Sequence, residues 1–426
     1  MNKRTKTALR RWCLYGWTFA KWTVAASAIG VVCGLIGTMF HFGVHEVTAF
    51  RGTHPWVLYL LPLAGFVIVS FYKLTETDGL GTDDIIDAVH EGKRLPILLL
   101  PAIFFGTVLT HLCGGSAGRE GAALQMGGTI GQCMGRTFRL DDRDLRVATL
   151  AGMAAFFSAL FGTPLAATVF AIMVISIGVL YHVALYPSLL AALVAYGVSV
   201  RLGVEPTHFT VAVPDQSVGM FVRVAALGVL CALVSILFCK LMHGAGHLMK
   251  RIKNPWLRVI CGGFAVIALT WVFGTDYNGA GMDIVTRAIE QETVAVPWAF
   301  LLKLVFTAVT LAAGFKGGEV VPSFFVGATF GCAVSPLLGL PVGFGAAIGL
   351  AAVFCGVTNC PVASTLLAVE LFGAEGMLYF ALACCLSYML SGYQGLYSSQ
   401  TILYSKLKAQ FINVHTNAYH AGEKTE

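Results

Sequence analysis

The sequence predicts an all-α, polytopic membrane protein, and three observations support this fold class. First, the 426 residues are 57% hydrophobic and only 12% charged, and the mean hydropathy is +0.77. Soluble proteins carry about 25% charged residues, so the apolar excess of this chain must face lipid. Second, apolar segments follow one another along the whole chain, and third, the sequence contains an internal repeat.

The apolar segments are separated by glycine, proline or charged residues. Since a straight span needs about 20 apolar residues, the chain has room for about ten to eighteen segments. They include 22–47 and a long stretch at 165–200, but several others are too short to cross the hydrocarbon. Helices that end inside the membrane must face protein or water. Broken helices of this kind indicate a transporter or channel with a site near the midplane.

The internal repeat divides the chain into two halves. Residues 152–171 align with 349–368 with eight identities in twenty positions, and 118–120 align with 317–319. Duplicated halves in a transporter bind substrate where the repeats meet. The predicted organisation is a cytoplasmic N-terminal segment (1–21), a first transmembrane repeat (22–200), a linker (201–217), a second transmembrane repeat (218–405) and a cytoplasmic tail (406–426).

Basic residues set the expected orientation. Much of the positive excess lies in the first dozen residues, at Lys3, Arg4, Lys6, Arg10 and Arg11. Positive charge favours the cytoplasmic side, so we expect the N-terminus to be cytoplasmic and the protein to be multi-pass, in a bacterial inner or plasma membrane.

Glycine-rich breaks are the candidate functional segments. Glycine allows tight turns at helix starts, where unpaired N–H groups and the positive end of the helix dipole attract anions. Such ends can hold an anion weakly enough to release it. The breaks lie at 79–83, 114–121, 317–322 and 392–398.

Two acidic residues in these breaks are the candidate proton carriers. Glu120 lies between Gly118 and Gly121, where a charged side chain costs about 2.5 to 3.5 kcal/mol to insert. It could occupy the anion site itself, or be protonated and leave it. The alternative for Glu120 is an ion pair with Arg119. We expect Glu319, the second acidic residue, to be a proton relay. The alternatives for Glu319 are helix capping and neutralisation by Lys316.

The motifs resemble the CLC family of chloride channels and proton-coupled anion antiporters. The resemblance rests on GREG at 118–121, GGxxxP at 317–322, the two proline-bearing repeat helices and LYS at 396–398. It implies a fold of two inverted-topology repeats with broken and tilted helices. Glu120 would be the gating glutamate, Tyr397 would touch the central anion through its hydroxyl, and Val320 and Val321 would offer backbone N–H groups. It also implies a homodimer with a separate pore in each subunit.

Departures from chloride-selective members resemble the fluoride/proton antiporter (CLC-F) group. Leu80 stands where those members have serine, and Val320 where they commonly have phenylalanine. Met173 and Val174 occupy the place of the inner glutamate of antiporters, while Glu319 gives the GGEV motif of the CLC-F group. The expected anion-binding residues are Leu80, Gly81, Gly118, Arg119, Gly121, Val320, Val321 and Tyr397.

The predicted function is therefore proton-coupled fluoride export. The protein would lie in the lipid bilayer and transport fluoride and protons. A chloride/proton antiporter or a passive anion channel of the same fold is the alternative. An intramembrane hydrolase using His111 and Cys113 is the alternative from another class, but no third group has helical spacing to orient a base. We expect no enzymatic activity, cofactor, metal or nucleic-acid partner.

Overall fold

A computed structural model describes residues 3–293, 296–408 and 410–417. The first half contains eight helices: α1 (Lys3–Thr53), α2 (Leu61–Leu74), α3 (Thr82–Glu91), α4 (Leu99–Leu112), α5 (Glu120–Thr137), α6 (Asp142–Phe161), α7 (Pro164–Met173) and α8 (Leu185–Arg201). The second half contains α9 (Val218–Met249), α10 (Pro255–Phe273), α11 (Met282–Glu290), α12 (Ala299–Ala313), α13 (Val320–Leu338), α14 (Val342–Thr358), α15 (Pro361–Phe372) and α16 (Met377–Leu390).

Helix lengths confirm the expected mixture of full spans and broken helices. Seven helical stretches in the described chain are long and apolar enough to cross a membrane. The others are shorter: α4 has 14 residues and α7 has 10. At 1.5 Å per residue, α4 is about 21 Å long, less than the roughly 30 Å of hydrocarbon. Helices α4 and α12 end just before the glycine-rich breaks at 114–121 and 317–322, where the candidate site lies.

The internal repeat extends beyond the segments that align in sequence. Helices α3, α4, α5 and α6 each have a counterpart that begins 200 residues later, namely α11, α12, α13 and α14. The loops before α5 and α13 pair as an antiparallel bridge between Gly118 and Gly318. Antiparallel pairing of equivalent residues is the arrangement that inverted repeats produce, and the all-α, two-repeat fold is confirmed.

Glycine lets the central helices of each half cross closely. A side chain at Gly127 of α5 would lie 2.3 Å from the carbonyl oxygen of Gly152 in α6. In the second half, a side chain at Gly327 of α13 would lie 2.3 Å from the carbonyl oxygen of Gly349 in α14. Small residues at helix interfaces allow this approach in membranes. The two crossings hold the starts of α5 and α13 in place.

Three features differ from the sequence prediction. The apolar stretch 165–200 divides into α7 and α8, because strand β1 (Ser176–Ile177) and Gly178, with φ of +92°, interrupt it. The N-terminal segment belongs to α1 from Lys3 onward. The last described part forms β2 (Thr401–Tyr404) and β3 (Phe411–His415), which join β1 in the order β1-β2-β3.

Candidate functional site

The site is built around the crossing of the two loops that precede α5 and α13. Gly118 N–H donates to the Gly318 carbonyl and Gly318 N–H to the Gly118 carbonyl, both at 2.8 Å. A side chain at Gly318 would lie 2.2 Å from the Gly121 nitrogen, and one at Gly121 would lie 2.7 Å from the Gly318 Cα. Only glycine fits at these positions. The N-terminal ends of both helices therefore meet at one place, as the sequence predicted.

Side-chain hydrogen bonds repeat this symmetry on both sides of the crossing. The Ser116 N–H donates to Thr310 Oγ1 at 3.1 Å, and the Lys316 N–H donates to Thr110 Oγ1 at 3.2 Å. The two donors are 200 residues apart, and so are the two acceptors. Each threonine lies on the helix of the opposite half, so the two repeats hold each other's loops.

Glu120 is the first residue of α5 and is fully buried. Its Oε2 accepts a hydrogen bond from the Arg119 N–H at 2.9 Å, and its Oε1 lies 3.6 Å from Arg119 Nε. The ion pair with Arg119 therefore forms, because Arg119 precedes the helix and can turn back toward its neighbour. Atoms of Glu120, Val321 and Pro322 all lie close to Gly118. The carboxylate of Glu120 thus lies where the N-terminal ends of α5 and α13 meet.

Arg119 takes a different position from the one predicted for an anion ligand. Its side chain is 19% exposed, and besides Glu120 it contacts His41, with Nη1 3.0 Å from Nδ1. These contacts direct the guanidinium to the Glu120 carboxylate and to His41, and Arg119 does not line the cavity described next. Arg119 is therefore placed to hold Glu120.

A cavity of about 320 Å³ lies beside the crossing. Four of the predicted residues line it: Leu80 and Gly81 before α3, Glu319 before α13, and Tyr397 from the last glycine-rich break. Gly118, Gly121, Val320 and Val321 are buried in the crossing itself. The lining also includes Tyr72, Thr82, Gln125 and Lys316, which the prediction did not place among the anion-binding residues.

Tyr397 presents an unused hydroxyl next to this cavity. Its side chain is 3% exposed, and the hydroxyl has no hydrogen-bond partner in the described residues. Two hydrogen bonds fix the main chain of the loop that carries Tyr397. Thr416 donates to the Tyr397 carbonyl, and the Ser399 N–H donates to Asp83 Oδ1 at 3.0 Å. Because a buried hydroxyl without a partner is costly, this group is available to an anion.

Glu319 precedes α13 and lines the cavity without capping the helix. Its side chain makes no cap hydrogen bond, so the capping alternative does not describe the structure. Lys316 does not neutralise it by an ion pair within the described chain; its ammonium lies 4.1 Å from the Tyr72 ring centre. Glu319 therefore lines the cavity without an ion-pair partner among the described residues.

The structure corrects the predicted repeat partner of Glu120 by one residue. The sequence alignment paired Glu120 with Glu319, but Gly118 pairs with Gly318, and the helices begin at Glu120 and Val320. Glu319 is thus the counterpart of Arg119. Because residues 317 and 318 are both glycine, Gly118 can be aligned with either of them in the sequence. Only the backbone pairing of Gly118 with Gly318 identifies the correct alignment.

A second copy of the first glycine break lies on the opposite side of the crossing. Gly279 and Gly281 lie 200 residues after Gly79 and Gly81 and precede α11. Here the fully buried Lys303 donates to the carbonyls of Gly279 (2.6 Å) and Tyr277 (3.1 Å). The alignment of GLGTD with GAGMD could have revealed this repeat.

His111, the base of the hydrolase alternative, lies near this second copy. Its Nδ1 is 2.9 Å from the Thr107 carbonyl, and its Nε2 has no hydrogen-bond partner in the described part of the chain. The Arg51 guanidinium donates to the His111 carbonyl at 2.6 Å. Positive groups surround this histidine, and no ion pair to a carboxylate orients it among the residues described.

Comparison with known proteins decides the family. The family model described as voltage-gated chloride channel matches residues 63–392, more than half of the chain. The chain belongs to this family of CLC proteins. A chloride/fluoride channel protein of Pseudomonas syringae pv. tomato is 39% identical, covering 91% of this chain and 88% of its own. An H⁺/Cl⁻ exchange transporter of Vibrio campbellii is 25% identical, covering 81% of each chain.

Solved structures of CLC proteins have the same fold. The crystal structure of a CLC-type fluoride/proton antiporter superimposes with a TM-score of 0.88 at 32% identity, covering 91% of this chain and 99% of the other. A slow cyanobacterial Cl⁻/H⁺ antiporter gives a TM-score of 0.76 at 19% identity, covering 87% and 94%. The second likeness concerns the fold alone.

Proposed function

We propose that this CLC protein is a fluoride/proton antiporter that exports fluoride. The observation that carries the proposal is the position of Glu120, a fully buried carboxylate at the junction of two helix N-termini and beside a cavity lined by Leu80 and Glu319. The relatives named for fluoride support the choice of anion.

The cavity opens on the side of the N-terminus. Helix α1 is long and apolar enough to cross the membrane once, and the stretch Pro55–Leu74 is long and apolar enough to return to the side from which α1 began. The first glycine break, with Leu80 and Gly81, follows directly. With a cytoplasmic N-terminus, fluoride enters this cavity from the cytoplasm of a bacterial inner or plasma membrane.

Anion and proton compete for Glu120 in the proposed mechanism. An ionised Glu120 fills the positive ends of α5 and α13 and excludes the anion. Fluoride arriving from the cavity takes the same N–H groups, and the displaced carboxylate leaves the site and takes up a proton on the outer side. When fluoride has left, Glu120 returns and releases its proton inward. Each cycle thus exchanges fluoride for protons.

The inner proton route needs a second carrier, for which we propose Glu319. Met173 and Val174 cannot bind protons, and Glu319 lines the same cavity as Tyr397. A neutral Glu319 can also donate a hydrogen bond to fluoride, which is a strong acceptor. Leu80 offers the anion no hydroxyl, which removes a donor that would serve chloride. The proposal includes a homodimer in which each subunit has its own pathway.

Flux from liposomes tests the function. Vesicles loaded with fluoride should release it to a fluoride-selective electrode while the outer medium becomes alkaline, and an imposed pH gradient should drive fluoride against its own gradient. A passive channel would release fluoride without proton movement. A chloride/proton antiporter, like the relative named for that exchange, would respond to chloride instead. A hydrolase would move neither ion.

A further inference from the structure

A second cavity, of about 240 Å³, lies away from the transport site, between the C-terminal ends of α3 and α5 and the start of α6. Three arginines line it, Arg94, Arg136 and Arg146, against a single acid, Asp142. We call this cavity the arginine pocket. Its lining has three positive charges and one negative charge, so its interior attracts anions.

The positive charges of the arginine pocket lack acidic partners. None of the three guanidinium groups forms an ion pair in the part of the chain that the structure describes. Among the described residues, the Arg136 side chain donates to the side-chain oxygen of Gln132. The Nε of Arg146 is buried with no hydrogen-bond partner among the described residues. A buried donor without a partner is unfavourable, so an anion that reaches this group would gain a hydrogen bond.

The arginine pocket lies at the membrane surface on the side of the N-terminus. Asp144, in the first turn of α6, forms an ion pair with Lys21 of α1. Lys21 comes just before the apolar segment 22–47, so it marks the edge of the hydrocarbon. Under the orientation of the proposed function, this side is the cytoplasm.

We propose that the arginine pocket binds a phosphate-bearing anion, presented either by the headgroup of an anionic phospholipid or by a soluble phosphate. Arginine forms paired hydrogen bonds with phosphate oxygens, and basic pockets between membrane helices on the cytoplasmic side suit phosphate headgroups. The volume is several times the roughly 30 Å³ of a water molecule. A phosphate group fits it better than a single halide, which has no oxygens to pair with three guanidinium groups.

An anion bound in the arginine pocket would stabilise the helices that form the transport site. The pocket lies at the far ends of α3 and α5, whose starts carry Gly81 and Glu120. A phosphate that bridges Arg94, Arg136 and Arg146 ties α3, α5 and α6 together. The bound anion should therefore raise the resistance of the folded protein to heat, whatever ion the protein transports.

Thermal unfolding of the purified full-length protein in uncharged maltoside detergent tests this proposal. Intrinsic tryptophan fluorescence reports the midpoint, since the chain has seven tryptophans. The probes are inorganic phosphate, pyrophosphate and short-chain phosphatidylglycerol, with sodium chloride at equal ionic strength as the salt control. Phosphatidylcholine of the same chain length is the control for the lipid tails. Binding to the folded state raises the midpoint with ligand concentration.

Variants decide whether the arginine pocket is responsible. Arg94→Gln/Arg146→Gln should weaken the apparent affinity about tenfold or more, since hydrogen bonds to charged groups contribute about 1.5–3 kcal/mol. Arg143→Gln, an exposed arginine of the same segment outside the lining, should respond like the parent. If the double variant does not fold, Arg94→Gln alone replaces it in the test, because Arg94 is exposed. This single variant should also bind phosphate more weakly than the parent.

The pattern of responses identifies the source of the phosphate. A shift with phosphatidylglycerol alone assigns the pocket to lipid, and a shift with the soluble phosphates as well assigns it to free phosphate. No shift beyond the salt and phosphatidylcholine controls, or equal shifts in the parent and in the arginine variants, would overturn the proposal.

Discussion

Glu120 combines full burial, a helix N-terminus and a neighbouring guanidinium, and this combination makes its charge the switch of the proposed cycle. Glu120→Gln keeps the shape of the side chain and removes the titratable group. We expect proton coupling to disappear and fluoride turnover to fall or stop, measured with electrodes for both ions in the same vesicles. Proton uptake at the parental rate against a fluoride gradient would remove Glu120 from the gate.

Glu319 lines the cavity, and its side chain makes no cap hydrogen bond to α13. Glu319→Gln should leave the unfolding temperature almost unchanged and slow coupled exchange severely. Glu375→Gln, at an exposed acid in a turn, is the matched control and should exchange normally. A parental ratio of protons to fluoride in Glu319→Gln would rule out the relay.

Leu80 is half-buried at the cavity wall and offers no hydrogen-bond donor. Leu80→Ser adds a hydroxyl, and a net hydrogen bond of about 1 kcal/mol corresponds to roughly a fivefold change in affinity. We expect chloride transport to rise relative to fluoride transport by about this factor. Leu80→Ala, which shortens the side chain without adding a donor, is the control. Equal ion ratios in Leu80→Ser and Leu80→Ala would place the selectivity elsewhere.

At the scale of elements, the C-terminal sheet positions the loop that carries Tyr397. The Thr416 hydroxyl, after β3, donates to the Tyr397 carbonyl, and β1 of the first half pairs in parallel with β2. Thr416, in the described part of the predicted tail, thus supports the loop that carries Tyr397. Strand β2 connects the last glycine break to the half that supplies Glu120.

Thr416→Val removes this hydrogen bond inside a buried position. We expect it to destabilise the protein by about 1 kcal/mol and to lower fluoride turnover, because Tyr397 loses a support. The measurements are the unfolding midpoint and the initial rate of fluoride release. Thr416→Ser keeps the hydroxyl and should restore both. Parental turnover in Thr416→Val would show that the loop is held without the sheet.

At the scale of the whole molecule, the two inverted halves share a backbone and differ in charge. The copy of the first glycine break on the N-terminal side opens into a cavity with Glu319 and Lys316 in its wall. In the opposite copy the side chain of Lys303 holds the loop carbonyls, while its counterpart Ile103 lines the cavity. The two copies of the break therefore have different surroundings, a cavity at the first copy and a lysine bound to the loop carbonyls at the second.

Separate pathways in each subunit predict independent transport in the proposed homodimer. When parent and Glu120→Gln chains are mixed before reconstitution, fluoride release should fall in proportion to the fraction of mutant chains. Tagged copies purified in sequence yield the mixed dimer, which should have about half the parental rate. A mixed dimer without activity would mean that the two subunits share one pathway.

The sequence by itself determined the membrane class, the duplication, the place of Glu120 at the start of a helix and the motifs around it. Composition and hydropathy are sums over single residues, so they do not depend on tertiary contacts. A carboxylate between glycines in an apolar stretch can also be recognised without knowledge of the fold. Only the tertiary structure decided the register that pairs Gly118 with Gly318, the place of Lys316 and Gln125 in the cavity wall, and the role of the last strands. These features depend on contacts between residues about 200 positions apart, which the sequence does not reveal. The repeat alignment was also ambiguous, because runs of small residues align equally well when one copy is shifted by one position.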